Sequence, residues 1–219
     1  MTRRALREAV VAAARRMNTL GINQGTAGNV SARIPGGLLI TPSGVPYDGM
    51  DPDDVVELAG DGSVSAARPG LLPSTEWRLH TAILRDRPDV DAVVHAHPPY
   101  ATTLACLRRE IPAFHYMVAV AGGSSIRCAA YATFGTQALA DNALRALADR
   151  RGCLLAHHGL VACGPDPAGA LALALEMEAL AGQYWRALQI GEPEPLPEDE
   201  MKRVLQEFAR YGPGRVSDD

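Results

Sequence analysis

Three histidines and a glutamate have the residue types and the spacing of a metal site. His95 and His97 stand two residues apart at the end of an apolar run. In a strand, such side chains point to the same face. Residues 157–158 are a second histidine pair after another apolar run, and Gly159 beyond them allows a close backbone approach. Glu76 lies at a predicted helix start. Three imidazoles with a fourth position for a carboxylate or water are typical of catalytic zinc.

Spacing alone leaves the ligand set open, because it does not decide between His157 and His158. His80 follows Glu76 by four residues on the same helix face, so it is a rival ligand. The competing interpretation makes these histidines core residues held by hydrogen bonds. His115 has no partner in the sequence and is assigned no chemistry.

Three polar segments could together hold a phosphate group. They are residues 25–29 (GTAGN), residues 41–44 (TPSG) and the pair Ser74 and Thr75. Each offers hydroxyl or amide donors and open backbone N–H groups. Ser74 and Thr75 also lie at a predicted helix N-terminus, where the helix dipole favours an anion. Ordinary turns and helix caps have the same composition, so that interpretation stays open as well.

Helices and strands that alternate along the chain must position these residues. Hydrophobic periodicity predicts helices over residues 3–20, 74–88, 100–108, 136–150, 168–188 and 198–211. It predicts strands over residues 30–34, 38–40, 55–58, 91–97, 125–131 and 153–156. Ser74 or Thr75 is the expected N-cap of the second helix. This order predicts one α/β domain with a mixed, largely antiparallel sheet, and the missing G-x-G-x-x-G argues against a dinucleotide fold.

Composition indicates a globular, acidic protein. The 219 residues are 47% hydrophobic and 21% charged with a net charge of −4, so the chain can bury a core and has no basic surplus for nucleic acid. Lys202 is the single lysine, which argues against Schiff-base chemistry in the body of the domain. No run approaches ~18 apolar residues, so no membrane span is expected. The four cysteines lack paired spacing and are expected to be reduced core thiols of a cytoplasmic protein.

At these motifs the chain resembles the class II (metal-dependent) aldolase and sugar-phosphate epimerase family. The resemblance covers nearly the whole chain and is carried by residues 20–31, 39–47, 72–78, 93–97, 111–117, 121–126, 131–136 and 157–161. It implies a three-layer α/β/α sandwich, one domain over residues 1–219 with a flexible tail at 212–219, and a homotetramer with active sites between subunits.

The resemblance also implies residue roles. One Zn²⁺ per subunit would be bound by His95, His97 and His158. Glu76 would be the catalytic acid/base, and a metal ligand when no substrate is bound. The phosphate cradle implied by the resemblance comprises Gly28, Asn29, Ser43, Gly44, Ser74 and Thr75.

The aldehyde side of the site is implied in the same way. Tyr116 resembles the tyrosine that handles the proton of the aldehyde oxygen, and in the family it comes from a neighbouring subunit. Tyr211 is a further catalytic candidate near the C-terminal tail, and Phe134 and Phe208 would shape this side. Arg127 stands where the family's aldolases have proline, and no role for it follows from the sequence.

The implied reaction is reversible cleavage of L-fuculose 1-phosphate, or a close ketose 1-phosphate, to dihydroxyacetone phosphate and L-lactaldehyde through a zinc-stabilised enediolate. Related aldolases of 5-deoxy or methylthio pentulose phosphates and a methylthioribulose-1-phosphate dehydratase are alternatives. A pentulose-phosphate 4-epimerase would carry aspartate in place of Glu76. An adducin-like structural module would lack the histidines. Co²⁺ or Mn²⁺ would also suit the imidazoles.

Overall fold

One eight-stranded sheet organises the computed structural model, which describes residues 1–210. The strands are β1 (Asn29–Ile34), β2 (Gly37–Ile40), β3 (Val56–Ala59), β4 (Val64–Ala66), β5 (Ala92–Ala96), β6 (Cys128–Ala129), β7 (Gly152–Leu155) and β8 (Gly159–Gly164). Their order is β4-β3-β2-β1-β5-β8-β7-β6, with every neighbouring pair antiparallel except β6 and β7. The prediction of a mixed, largely antiparallel sheet is confirmed.

Helices cover both faces of the sheet. The helices are α1 (Arg3–Thr19), α2 (Trp77–Asp86), α3 (Pro99–Cys106), α4 (Gln137–Ala146), α5 (Pro167–Leu188) and α6 (Glu198–Arg210). Buried side chains of α1, α3, α5 and α6 join one hydrophobic cluster, and those of α2 and α4 join a second. The central strands are therefore buried on both faces, as β5 is along its whole length. This is the expected α/β/α sandwich in a single domain.

Local structure departs from the sequence prediction at several elements. The strand expected over residues 125–131 is only β6, which has two residues. Helix α2 begins at Trp77 with Glu76 in the N-cap position, so neither Ser74 nor Thr75 is its N-cap. Ser74 instead turns its hydroxyl back to accept the N–H of Glu76 at 3.3 Å. Strands β4 and β8 and a 3-10 turn at Tyr116–Ala121 were not predicted.

Arg127 has a structural explanation. Its Nη1 donates to the carbonyl of Ala148 at 2.8 Å and to that of Ala146 at 3.3 Å, at the C-terminal end of α4. Ala146 is the last residue of α4 and Ala148 lies in the turn beyond it, so the guanidinium caps the C-terminal end of this helix.

The cysteine prediction holds in part. All four thiols are free, and Cys153 and Cys163 are buried as expected. Cys106 is exposed on α3, and Cys128 is only half-buried, so these two are not core thiols. Within residues 1–210, no helix combines the length and the apolar character that crossing a bilayer would require.

Candidate metal centre and active site

Strand pairing brings the predicted ligands to one edge of the sheet. His95 is in β5 and His97 follows its last residue, while His158 lies in the turn between β7 and β8. Because β5 and β8 are antiparallel with Ala96 opposite Leu160, the end of β5 lies beside the start of β8. Glu76 reaches the same point from the start of α2. One ligand atom from each of the four side chains lies within 4.8 Å of the other three.

The four side chains converge on a single point. Nε2 of His95 is 2.9 Å from Nε2 of His97 and 3.0 Å from Oε2 of Glu76. Nε2 of His158 is 3.5 Å from Oε1 of Glu76. The ring centroids of the three histidines are 4.7 to 4.8 Å apart. The structure therefore selects His158 over His157 for this cluster.

A hydrogen bond behind His95 fixes its tautomer. Nδ1 lies 2.8 Å from the carbonyl oxygen of Leu160, and a carbonyl can only accept. Nδ1 therefore carries the hydrogen, which leaves the lone pair of Nε2 free to bind a metal. Metal-binding histidines are commonly oriented by such a bond.

Burial and charge set the ionisation of the cluster. Glu76 is 4% exposed. Burial raises its pKa, but the charge of His95 and hydrogen bonds from His95 and Asn29 lower it well below the usual range overall. Burial, with the nearby charge of His95, lowers the pKa of His97 to about 3 and that of His158 to about 4. Burial lowers the pKa of His95, but the charge of Glu76 and its hydrogen bond raise that pKa overall, which favours a proton on Nε2 when no metal is bound. A metal cation requires the carboxylate with neutral imidazoles, so it would displace that proton.

The donor set fits a divalent cation. Oε1 of Glu76 is buried and, among the described residues, accepts no hydrogen bond. An orphaned carboxylate oxygen next to free imidazole nitrogens is costly unless a cation compensates it. Three nitrogens and one oxygen are also the ligands that zinc prefers.

His80 lies outside this cluster. The side chain is completely buried, and its two ring nitrogens contact Ser31 and Asn29 rather than the other histidines. Burial lowers the pKa of His80 to about 3, so the ring is neutral. The core interpretation of His80 therefore describes its position, and the rival-ligand interpretation does not.

His157 turns away from the cluster. Its φ of 56° puts it in the left-handed region, which is uncommon for a residue other than glycine. Its Nε2 accepts a hydrogen bond from Nε of Arg108 at 3.0 Å, and its ring meets Tyr131 edge-on. Spacing alone could not have indicated Arg108, which is 49 residues away in the chain.

A pocket of about 280 Å³ opens beside the cluster. Glu76, His97 and His158 line one side, together with Thr75 and His157. The remaining wall is mainly apolar and consists of Ala27, Tyr131, Ala132 and Phe134. Phe134 is thus a lining residue, as the sequence prediction has it, whereas Tyr131 and Ala132 were missed although they lie in the same motif.

The predicted phosphate segments partly meet. Ser43 donates its N–H to the carbonyl of Leu72 at 2.9 Å, and Ser74 donates to that of Thr41 at 3.1 Å, so the two segments run side by side. These two N–H groups are therefore not open, contrary to expectation. Those of Gly44 and Thr75 have no protein acceptor within residues 1–210.

Gly28 and Asn29 connect the glycine-rich segment to the metal cluster. A Cβ on Gly28 would lie 2.6 Å from the carbonyl oxygen of His95, so only glycine fits there. Asn29 is paired with His95 across β1 and β5, and its Nδ2 donates to Oε2 of Glu76 at 3.1 Å. Both residues therefore touch the ligand shell.

The remaining aromatic candidates lie elsewhere. The rings of Tyr116 and Phe208 stack with centroids 6.4 Å apart, and neither residue lines the pocket. Tyr116 is 50% exposed. Tyr211 and the tail at 212–219 lie outside the described residues. The structure thus does not join Tyr116 and Phe208 to the metal cluster of the same chain.

Comparisons with known proteins identify the family of this chain and several relatives. The model of the Class II Aldolase and Adducin N-terminal domain family matches residues 8–185. The chain is 56% identical to a 5-methylthioribulose-1-phosphate/5-deoxyribulose-1-phosphate aldolase of Rhodospirillum rubrum, over 96% of this chain and 94% of the relative. It is 46% identical to an L-fuculose phosphate aldolase of Escherichia coli, over 97% and 98%.

A solved structure shares the fold closely. An L-fuculose 1-phosphate aldolase superposes with a TM-score of 0.90 at 38% identity, covering 94% of this chain and 96% of that one. The family match, the relatives and the shared fold confirm the resemblance carried by the sequence motifs. The chain belongs to the class II aldolase family.

Proposed function

We propose that this chain is a metal-dependent lyase that cleaves a ketose 1-phosphate between C3 and C4. The observation that carries the proposal is the Glu76 carboxylate among three imidazoles at one side of the pocket. When the C3–C4 bond breaks, the C4 hydroxyl loses a proton and becomes an aldehyde. The electron pair stays on C3, which then gains a proton. The products are dihydroxyacetone phosphate and a short aldehyde, and no other reactant is needed.

The residues present would hold the metal and move the proton. His95, His97 and His158 would bind Zn²⁺, which supplies positive charge opposite the electron pair left on the dihydroxyacetone phosphate half. Glu76 lies beside these ligands and would deliver the proton to C3, and remove it in the condensation direction.

Backbone groups near α2 support phosphate binding. The N–H groups of Gly44 and Thr75 have no protein acceptor within residues 1–210, and the hydroxyl of Ser43 is exposed. Thr75 also lies at the N-terminal end of α2, where the helix dipole favours an anion. We propose that these groups hold the phosphate, since no lysine or arginine of residues 1–210 lines the adjacent pocket.

Two kinds of substrate are candidates, and they differ in the part of the sugar that becomes the aldehyde. The apolar wall of Ala27, Tyr131, Ala132 and Phe134 suits a methyl or methylthio group. The Rhodospirillum rubrum relative is named for such substrates, which supports a 5-methylthio or 5-deoxy pentulose 1-phosphate ahead of L-fuculose 1-phosphate. L-Fuculose 1-phosphate, the substrate expected from the sequence, is the second candidate on the strength of the Escherichia coli relative.

A second copy of the chain would complete the site. Tyr116 and Phe208 stack on each other and do not line the pocket of their own chain. That separation supports a homotetramer in which they face a neighbour's pocket. Mixing an inactive His95→Ala variant with an inactive Tyr116→Phe variant should then restore part of the activity. No recovery after confirmed subunit exchange would contradict shared sites.

The reaction is tested by following dihydroxyacetone phosphate from three substrates. We would supply 5-methylthioribulose, 5-deoxyribulose and L-fuculose 1-phosphates to the purified, chelated and zinc-restored protein. Release that disappears on chelation and returns with Zn²⁺ is expected. Glu76→Gln should lose at least about 100-fold in kcat because general acid–base transfer is worth about that much.

The matched control is Glu57→Gln, a half-buried carboxylate on β3 that pairs with Arg3. It should keep the wild-type rate. A zinc-loaded protein that releases no dihydroxyacetone phosphate from any of the three substrates would refute the lyase proposal and point to epimerase or dehydratase chemistry.

A further inference from the structure

A buried chain of polar side chains leads from the core to Glu76. Nδ2 of Asn29 is 3.1 Å from Oε2 of Glu76, and Oδ1 of the same amide contacts Nε2 of His80. Nδ1 of His80 is 2.6 Å from the hydroxyl oxygen of Ser31. Ser31 and His80 are completely inaccessible to solvent and Asn29 nearly so, which means that no water can replace these contacts.

In this series of hydrogen-bonded side chains, each donor and acceptor role is determined by the Glu76 carboxylate. A carboxylate only accepts, so Asn29 must turn its NH₂ group to Glu76 and its carbonyl oxygen to His80. Nε2 of His80 therefore carries the hydrogen, and Nδ1 of the neutral ring accepts from the Ser31 hydroxyl. Every donor from Ser31 to Glu76 is matched by one acceptor.

We propose that His80 is a positioning residue for Glu76, acting through the amide of Asn29. The donor on Nε2 locks that amide with its NH₂ toward Oε2 of Glu76. Oε1, which accepts no hydrogen bond among the described residues, is then the oxygen left for the proton and the metal. This inference rests on the proposed function, because Glu76 is taken as the acid/base.

Two patterns of sequence spacing bring these four polar side chains together. Asn29 and Ser31 are two residues apart in β1, so they share a face of the strand. Glu76 and His80 are four residues apart at the start of α2, so they share a face of the helix. The contact between Asn29 and His80 thus sets the orientation of the Asn29 amide and joins α2 to strand β1.

Without His80, the bond to Glu76 alone would hold the Asn29 amide, and its Oδ1 would be a buried acceptor without a donor. A buried acceptor that lacks a donor is unfavourable. The Asn29 side chain would therefore shift to find another donor, at the expense of its bond to Glu76. Glu76 would move away, and both proton transfer and metal binding would weaken.

Two variants separate hydrogen bonding from packing. The amide of His80→Gln can donate to Asn29 and accept from Ser31, whereas His80→Leu fills similar space without either bond. The assay for Glu76 is exchange of a C3 hydrogen of dihydroxyacetone phosphate with solvent deuterium in the zinc-saturated protein. This half-reaction needs the acid/base and no aldehyde.

The expected results follow from the losses that are typical when a residue that orients a metal ligand is replaced. His80→Leu should slow the exchange and weaken zinc binding by about 10- to 100-fold each, as is typical when a residue that orients a ligand is lost. His80→Gln should stay within about threefold of the wild type, since it keeps both hydrogen bonds. Equal rates and equal zinc affinities in the two variants would overturn the proposal and leave a packing role.

A measurement without turnover distinguishes this inference from the proposed function. Nitrogen-15 NMR of the imidazole should report a neutral ring with a protected hydrogen on Nε2 of His80. A hydrogen on Nδ1 would overturn the proposal. If the zinc-loaded wild type neither cleaves nor exchanges, the proposed function fails. The tautomer and the zinc affinities of the two variants then decide the positioning role.

Discussion

Replacing Gly159 by alanine should displace His97 and weaken metal binding, because a Cβ has no room at position 159. It would lie 2.4 Å from the carbonyl oxygen of Ala96 and 2.7 Å from Cδ2 of His97. The first of these contacts is with backbone. It cannot be relieved by a rotamer change, and β5 and β8 are paired at this point through Ala96 and Leu160.

The magnitude follows from this packing. Inserting a methyl group into a tightly packed site costs about 1–3 kcal/mol. If the strain falls on the arrangement that binds the metal, affinity for Zn²⁺ drops about 5- to 150-fold, since about 1.4 kcal/mol corresponds to a factor of ten. Moving the His97 ring also separates it from His95, whose Nε2 is 2.9 Å away in the wild type.

Zinc competition with a chelator of known affinity measures this loss directly. Urea unfolding of the chelated protein reports how much strain remains without metal. Gly49→Ala is the matched control, because a Cβ there meets nothing within 4 Å and the residue does not have positive φ. Wild-type zinc affinity together with an unfolding free energy unchanged within about 0.5 kcal/mol would refute the packing argument.

Three further perturbations have defined outcomes. A free zinc concentration of 100 times Kd should stabilise the folded state by about 2.7 kcal/mol relative to the chelated protein. Chelation should therefore lower Tm by about 5–10 °C, and an unchanged melting curve would contradict a metal site in the folded state. Arg127→Met removes two bonds to the carbonyls that end α4 and should reduce the unfolding free energy by about 1–2 kcal/mol with wild-type kcat; an unchanged urea midpoint would count against the cap. Glu178→Gln should destabilise by a similar amount, since its carboxylate accepts the N–H groups of Tyr100 and Ala101 at the start of α3, and equal melting temperatures would show that these bonds contribute little.

The metal cluster could be predicted from the sequence because strand periodicity is local. His95 and His97 are two residues apart at a strand end, so their shared face follows from the pleat. Glu76 and a second histidine pair could be recognised as candidates by type and position. Their meeting point could not, because it depends on the pairing of β5 with β8, which are separated by more than 60 residues.

The choice between His157 and His158 shows where local patterns stop. Both follow the same apolar strand, and adjacent residues in a strand would face opposite sides. The turn between β7 and β8 decides the matter, because His157 adopts a φ of 56° and turns to Arg108. That conformation is set by the hairpin and by a partner 49 residues away, neither of which is visible in the local sequence.

The start of α2 illustrates a different limit. Serine and threonine before an apolar helix are the usual N-cap signal, and Ser74 and Thr75 carry it. In the structure the N–H of Ser74 donates to the carbonyl of Thr41. An N-cap at Ser74 would start the helix at residue 75, but α2 begins two residues later, at Trp77. Tertiary pairing here outweighs local preference, and it leaves Glu76 at the N-cap with its side chain free to reach the histidines.

Charge is relevant to the phosphate binding proposed for this chain, which has a single lysine. A bound divalent cation would displace the proton from His95, so that three neutral imidazoles, the Glu76 carboxylate and the cation together carry a charge of about +1. Among residues 1–210, no lysine or arginine lines the pocket, so a bound cation, the N–H groups of Gly44 and Thr75 and the N-terminal end of α2 are the groups that would attract an anion. The same cation would therefore serve both the phosphate, through its field, and the reacting carbon, through direct contact. Under the proposed function, Oε1 of Glu76, which accepts no hydrogen bond among the described residues, would be available to both the cation and the proton.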